Sequence, residues 1–198
     1  MVKIKATEVK EKRNKRSLIL PIFIASIMIL SVFGVIIGNL GNSEETSPNI
    51  LEYKGLKFTK TDSGWQTSIN NFQVNTLNSP NELNDIILNI PMESLKSVSK
   101  VYISRNPKDY NKNLDLFLQA NLRQLFNTQI ACNIDIEECK NLPLKTCGDA
   151  NDNTFVILIE SGDKDMVNFN DNCLSIRNSN TLYLGKVIDK LILNIFGL

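Results

Sequence analysis

Histidine is absent from the 198 residues, and that absence excludes more chemistry than any motif present defines. Without an imidazole there is no Ser-His-Asp or Cys-His nucleophile system and no histidine-ligated metal site. The usual general base near neutral pH is missing too, so catalysis would have to run on carboxylates or lysine. No Gly-rich phosphate loop and no Gly-x-Ser-x-Gly occur, which removes the commonest phosphate and acyl-transfer signatures. Cys-x-x-Cys is missing, which argues against zinc and dithiol redox chemistry. There is no internal repeat and no low-complexity tract.

Charge is missing from one long stretch, Ser17 to Gly41 (SLILPIFIASIMILSVFGVIIGNLG). About 20 apolar residues at roughly 1.5 Å each match a hydrocarbon core of about 30 Å. A cleaved signal would have a shorter apolar region and a small-x-small exit; here the exit reads Gly38-Asn39-Leu40-Gly41, with no cysteine nearby. The reading is an uncleaved signal anchor, a transmembrane helix over 17–41. Residues 1–16 precede it as a basic tail, with Lys3, Lys5, Lys10, Lys12, Arg13, Lys15 and Arg16 against Glu8 and Glu11. That is a net +5 in a chain of net +1, leaving −4 beyond the tail. The positive-inside rule then puts the N-terminus in the cytoplasm and the C-terminal bulk outside, a single-pass cell-membrane protein in contact with the lipid bilayer. Ser31, Gly34, Gly38 and Gly41 share one helical stripe, and Gly34-x-x-x-Gly38 is a small-xxx-small pattern. It suggests self-association or a membrane partner through the transmembrane helix.

Polar residues 42–49 (NSEETSPN) read as a linker, and residues 50–198 as one extracytoplasmic domain. The expected fold class is α+β: an antiparallel meander, a mixed sheet and two longer amphipathic helices. The meander strands are Ile50–Tyr53, Leu56–Lys60, Trp65–Ile69 and Phe72–Thr76, punctuated by Lys54-Gly55, Asp62-Ser63-Gly64 and Asn70-Asn71. Ser79-Pro80-Asn81-Glu82 predicts the start of a short helix, stopped before Pro91. Val98–Ser104 reads as a strand. A helix opening at Asn106-Pro107 follows, with an apolar stripe from Tyr110 to Phe126 that carries it to about Asn127. Thr154–Glu160 (TFVILIE) is the candidate central strand and Cys173–Arg177 its neighbour. Leu184, Val187, Ile188, Leu191 and Ile195 mark a closing helix.

Cys132, Cys139, Cys147 and Cys173 all fall on the side assigned outside, and an even count there argues for two disulfides. Three connectivities are open; Cys132–Cys139 with Cys147–Cys173 is the favoured one. Asp149-x-Asn151-x-Asn153, with Glu160 eleven residues after Asp149, copies the outline of a calcium loop. Thr154 stands where the loop needs a turn and Glu160 falls in an expected strand, so a polar turn feeding a strand is the simpler reading. No other metal and no cofactor is indicated. Asp163, Asp165 and Asp171, with the net −4, argue against nucleic acid.

The run Leu142-Pro143-Leu144-Lys145-Thr146-Cys147-Gly148-Asp149-Ala150, then Asn172-Cys173-Leu174 and the closing Val187-Ile188-Asp189-Lys190 and Phe196-Gly197-Leu198, resembles archaeal single-pass membrane proteins of uncharacterised function with a disulfide-bearing outer α+β domain. The resemblance spans about the last third of the chain. It implies an archaeal envelope setting and no catalytic role. The expected function is a non-enzymatic envelope protein whose outer domain mediates protein interaction or structural assembly. An extracytoplasmic ligand- or calcium-binding module is the alternative, and a carboxylate-based enzyme a third class.

Overall fold

The computed structural model describes residues 24, 26–28, 49–109 and 112–198. Two compact units divide the chain, Met1–Glu45 and Thr46–Leu198. The expected span 17–41, with Ser31, Gly34, Gly38 and Gly41, lies outside the described residues except for Ile24, Ser26, Ile27 and Met28, which are helical and exposed. Among the described residues no helix is long and apolar enough to cross a membrane.

The second unit begins with four antiparallel strands in the order β1 (Ile50–Tyr53), β2 (Leu56–Thr61), β3 (Gly64–Ile69) and β4 (Phe72–Thr76). Their tight turns use residues that tolerate a left-handed backbone, Lys54-Gly55 and Asn70-Asn71. Gly64 is required for a different reason. Its φ is +140°, and a Cβ there would stand 2.1 Å from the Thr76 carbonyl oxygen across the sheet. Phe58 and Val74 are fully buried and join the meander to the main core.

A five-stranded mixed sheet follows. It contains β5 (Lys100–Arg105), β6 (Asn127–Cys132), β7 (Thr154–Ser161), β8 (Met166–Asn170) and β9 (Cys173–Asn178), in the order β6-β5-β7-β9-β8. All pairs are parallel except β8 with β9. The strand richest in apolar residues, β7, is central, with both neighbours parallel to it, as a run of continuous burial requires. Three helices accompany the sheet: α1 (Met92–Lys96), α2 (Lys112–Leu122) and α3 (Thr181–Ile195). The register places Val101, Ile103, Phe155, Ile157, Ile159, Leu174 and Ile176 on one face, in the same core cluster as Leu114, Leu118 and Leu122 of α2 and Val187, Ile188 and Leu191 of α3.

Two expectations are corrected. Ser79 makes no side-chain cap, and the helix expected after it is a single 3-10 turn, Pro80–Leu83. The next residues run extended, with Ile86, Leu88 and Ile90 buried and Ile87 exposed, a period of two that β-branched residues before Pro91 favour. The helix expected to reach about Asn127 ends at Leu122, and Asn127–Cys132 is β6. Leu125 is 39% exposed, so the apolar stripe no longer meets the core past Leu122. The β-branched Thr128 and Ile130 pair instead beside Val101 and Ile103.

Candidate functional site

The face of the mixed sheet opposite the helices is covered by a cysteine-stapled loop. The structure pairs Cys132 with Cys139 and Cys147 with Cys173, so no cysteine is free. Short backbone bonds fasten the loop to the end of β6: Cys132 N–H donates to Pro143 O, and Lys145 N–H to Cys132 O. Ser104 Oγ donates to the Lys145 carbonyl. Lys145 Nζ lies 5.2 Å from the centre of the Tyr102 ring and 3.0 Å from Asp149 Oδ1. A cation held between a ring and a carboxylate anchors a loop well and leaves little for chemistry.

That arrangement consumes the calcium outline. Asp149 Oδ2 accepts from Thr146 N–H at 2.8 Å and Thr146 Oγ1 at 3.3 Å, while Oδ1 takes the Lys145 ammonium. The Thr146 N–H and then Lys145 hold this carboxyl below its ordinary pKa. Asn151 Oδ1 accepts from Asn153 N–H, closing a turn. Glu160 sits near the far end of β7, seven residues after Asn153 and so about 23 Å away at roughly 3.3 Å per residue, beside Arg177. Asp149, Asn151 and Asn153 are thus gathered and Glu160 is not. Among the described residues no group of three or more metal-ligating side chains converges. The Ser-x-x-Lys spacing occurs twice, at Ser97 to Lys100 and Ser161 to Lys164, and neither pair lies within a helix that would bring serine and lysine onto one face.

A crevice of about 400 Å³ opens beyond the carboxyl ends of β5, β6 and β7, lined by Asn106, Asp109, Asn133, Glu160, Asp163 and Arg177. It occupies the place where parallel sheets commonly hold ligands, because the chain leaves β5 toward β6 on one side and β7 lies on the other. Gly162 contributes room: a Cβ there would meet the Arg177 side chain at 2.5 Å. The crevice is open and polar, with the Arg177 guanidinium 3.7 Å from Glu160.

Among the described residues two carboxylates are buried, and both lie elsewhere. Asp115 on α2 pairs with Arg105 at the end of β5, both side chains nearly solvent-free. Burial raises its pKa to about 6 against the lowering effect of Arg105. Asp189 on α3 is wholly buried and accepts from Leu77 N–H (2.9 Å), Asn78 N–H (2.7 Å) and Asn78 Nδ2 (2.8 Å). Burial pushes it to about 6, and those three donors hold it back.

Asp189 belongs to a pattern along β4. That strand is an edge of the meander, and its outward N–H groups fall on alternate residues. Each finds a side-chain acceptor from a helix or the turn after it. Gln73 N–H donates to Gln124 Oε1, whose Nε2 returns to Gln73 O; Asn75 N–H donates to Asn121 Oδ1, and Leu77 N–H to Asp189. The edge is closed to any further strand.

Strand β8 is the opposite case. It closes on β9 through Asp171-Asn172, both at positive φ, so Asn170 and Cys173 form the hydrogen-bonded pair of a two-residue hairpin. Met166, Asn168 and Asn170 therefore face β9, and the N–H and C=O of Val167 and Phe169 point outward. Among the described residues β8 pairs with β9 alone. The strand MVNFN carries no charge and no proline. A cleft of about 390 Å³ runs beside it, lined by Ile87, Leu88, Asn89, Val167, Phe169 and Leu174. Ile87 is 78% exposed. Phe169, stacked on Phe155 with ring centres 6.1 Å apart, also lines a second cleft of about 350 Å³ containing Asp152 and Asp171.

Fold and surface together define a two-sheet α+β domain, stapled by two disulfides, in which the β4 edge is sealed and the β8 edge is open. No family model, curated protein or solved structure matches the chain.

Proposed function

We propose that the protein is a non-enzymatic, membrane-anchored envelope protein whose outer domain binds another protein. The observation that carries this reading is the contrast between the β4 and β8 edges: side chains from two helices and the turn after α2 satisfy β4, whereas β8 keeps its pairing groups and an apolar rim open. Natural sheets blunt edges they do not use, with charge, proline or a covering element. The anchor over 17–41, the cytoplasmic basic tail and helix pairing through Ser31, Gly34, Gly38 and Gly41 belong to the same reading and rest on the sequence. So does the archaeal envelope setting. Purification from native membranes in mild detergent tests it: a stoichiometric protein partner is expected, and repeated recovery of a lone chain would overturn it.

A second reading, a module for a small polar ligand, is favoured by the crevice beyond β5, β6 and β7, where side chains from separate segments converge. Calorimetry with Ca²⁺ and with simple polyols is its test. Heats abolished by Glu160→Gln with Asp163→Asn would support it, and no heat at all would remove it.

A further inference from the structure

We infer that the open edge of β8 receives an extended segment of the partner as a sixth strand, apolar on alternate residues, with a basic residue seated between Asp152 and Asp171. The inference rests on the interaction reading above and names its surface and the chemistry of its partner. The outward N–H and C=O groups of Val167 and Phe169 specify an extended backbone, because only a strand presents donors and acceptors at that spacing. The side chains of the same two residues continue the apolar face of the sheet, since Val167 pairs with buried Ile176 and Phe169 with buried Leu174. An added strand would lay its own alternate side chains over that rim and over Ile87. Charge selects the end of the segment. The strand itself is neutral, but the cleft that continues past Phe169 holds Asp152 and Asp171 and no basic residue. A partner strand antiparallel to β8 would bring its N-terminal end there.

The test uses the full chain in detergent and a fluorescent peptide of two lysines followed by three Val-Thr repeats. Saturable binding is expected below about 1 mM. Val167→Pro removes an outward N–H while sparing the ladder to β9, and should weaken binding at least tenfold. Asp152→Asn with Asp171→Asn keeps a residue tolerant of positive φ in the turn and should weaken it about fivefold. A peptide with glutamates in place of the lysines should bind no better than that double variant binds the original. No binding, or binding indifferent to Val167→Pro in protein of unchanged melting behaviour, overturns the proposal. Photo-crosslinkers at Ile87 and at Leu116, an exposed residue of α2, in native membranes separate the two levels. A partner captured from Leu116 and never from Ile87 leaves the interaction reading standing and removes β8 as its surface; no partner from either position counts against both.

Discussion

Asp189 shows how one side chain can hold two layers together. The meander ends at β4, α3 is the last element of the chain, and the carboxylate crosses a sequence separation of more than a hundred residues to bind both. Replacing it with alanine strands buried donors, at about 1–3 kcal/mol each, so Asp189→Ala should unfold at markedly lower urea than the parent. Its pH dependence has a definite sign. The folded pKa of about 6 lies above the unfolded value of 3.8, so the native state binds the proton more tightly between them. Stability attributable to this group is fully present below about pH 4 and is lost as pH rises through 6, a fall of about 3 kcal/mol at 1.36 kcal/mol per unit. Denaturant midpoints from pH 4 to 7 should fall accordingly, and Asp189→Asn should flatten much of that slope. Asp115 shares the direction, because burial outweighs the pull of Arg105. Gly64 is a second residue with no substitute. With φ at +140° and a carbonyl 2.1 Å from any Cβ, Gly64→Ala should cost roughly 2–4 kcal/mol, seen as a thermal midpoint lowered by several degrees.

At the scale of elements, strands written by alternation and turn residues were legible, and those read against a competing period were not. The meander boundaries agree with the expectation to within a residue or two, because Asn70-Asn71 and Lys54-Gly55 each punctuate a period of two. Strand β6 was hidden because Leu122, Leu125 and Phe126 extend the helical spacing of α2 into it. Only the parallel pairing with β5 resolves the ambiguity. Strand β8 lies in an Asn- and Asp-rich stretch to which the sequence assigned no strand. The signal was present in the alternation of MVNFN and in Asp171-Asn172, a turn pair of the same kind as Asn70-Asn71. The disulfides differ in what they constrain. Cys132–Cys139 spans 7 residues and Cys147–Cys173 spans 26, so loop entropy assigns them about 2.5 and about 3.5 kcal/mol. Guanidinium unfolding should show the Cys147→Ser, Cys173→Ser variant less stable than the Cys132→Ser, Cys139→Ser variant.

For the whole molecule, the meander and the mixed sheet share one continuous core from Phe58 and Val74 through β7 to α3. A fragment Thr46–Leu198 should therefore melt in a single cooperative calorimetric transition, with equal calorimetric and van't Hoff enthalpies. Two separate transitions would show the sheets to be independent. The sequence by itself determined the α+β class, the four meander strands, the central position of the strand read at Thr154–Glu160 and the closing amphipathic helix, all of which follow from local period, apolar runs and turn chemistry. The lack of histidine alone excludes catalysis that needs an imidazole. The tertiary structure alone decided which of three cysteine pairings forms, and that Glu160 lies a strand's length from Asp149. It also decided which edges of the two sheets are closed. Those are matters of distance between segments far apart in the chain, and a sequence period reports only which face a residue takes, never what stands across from it.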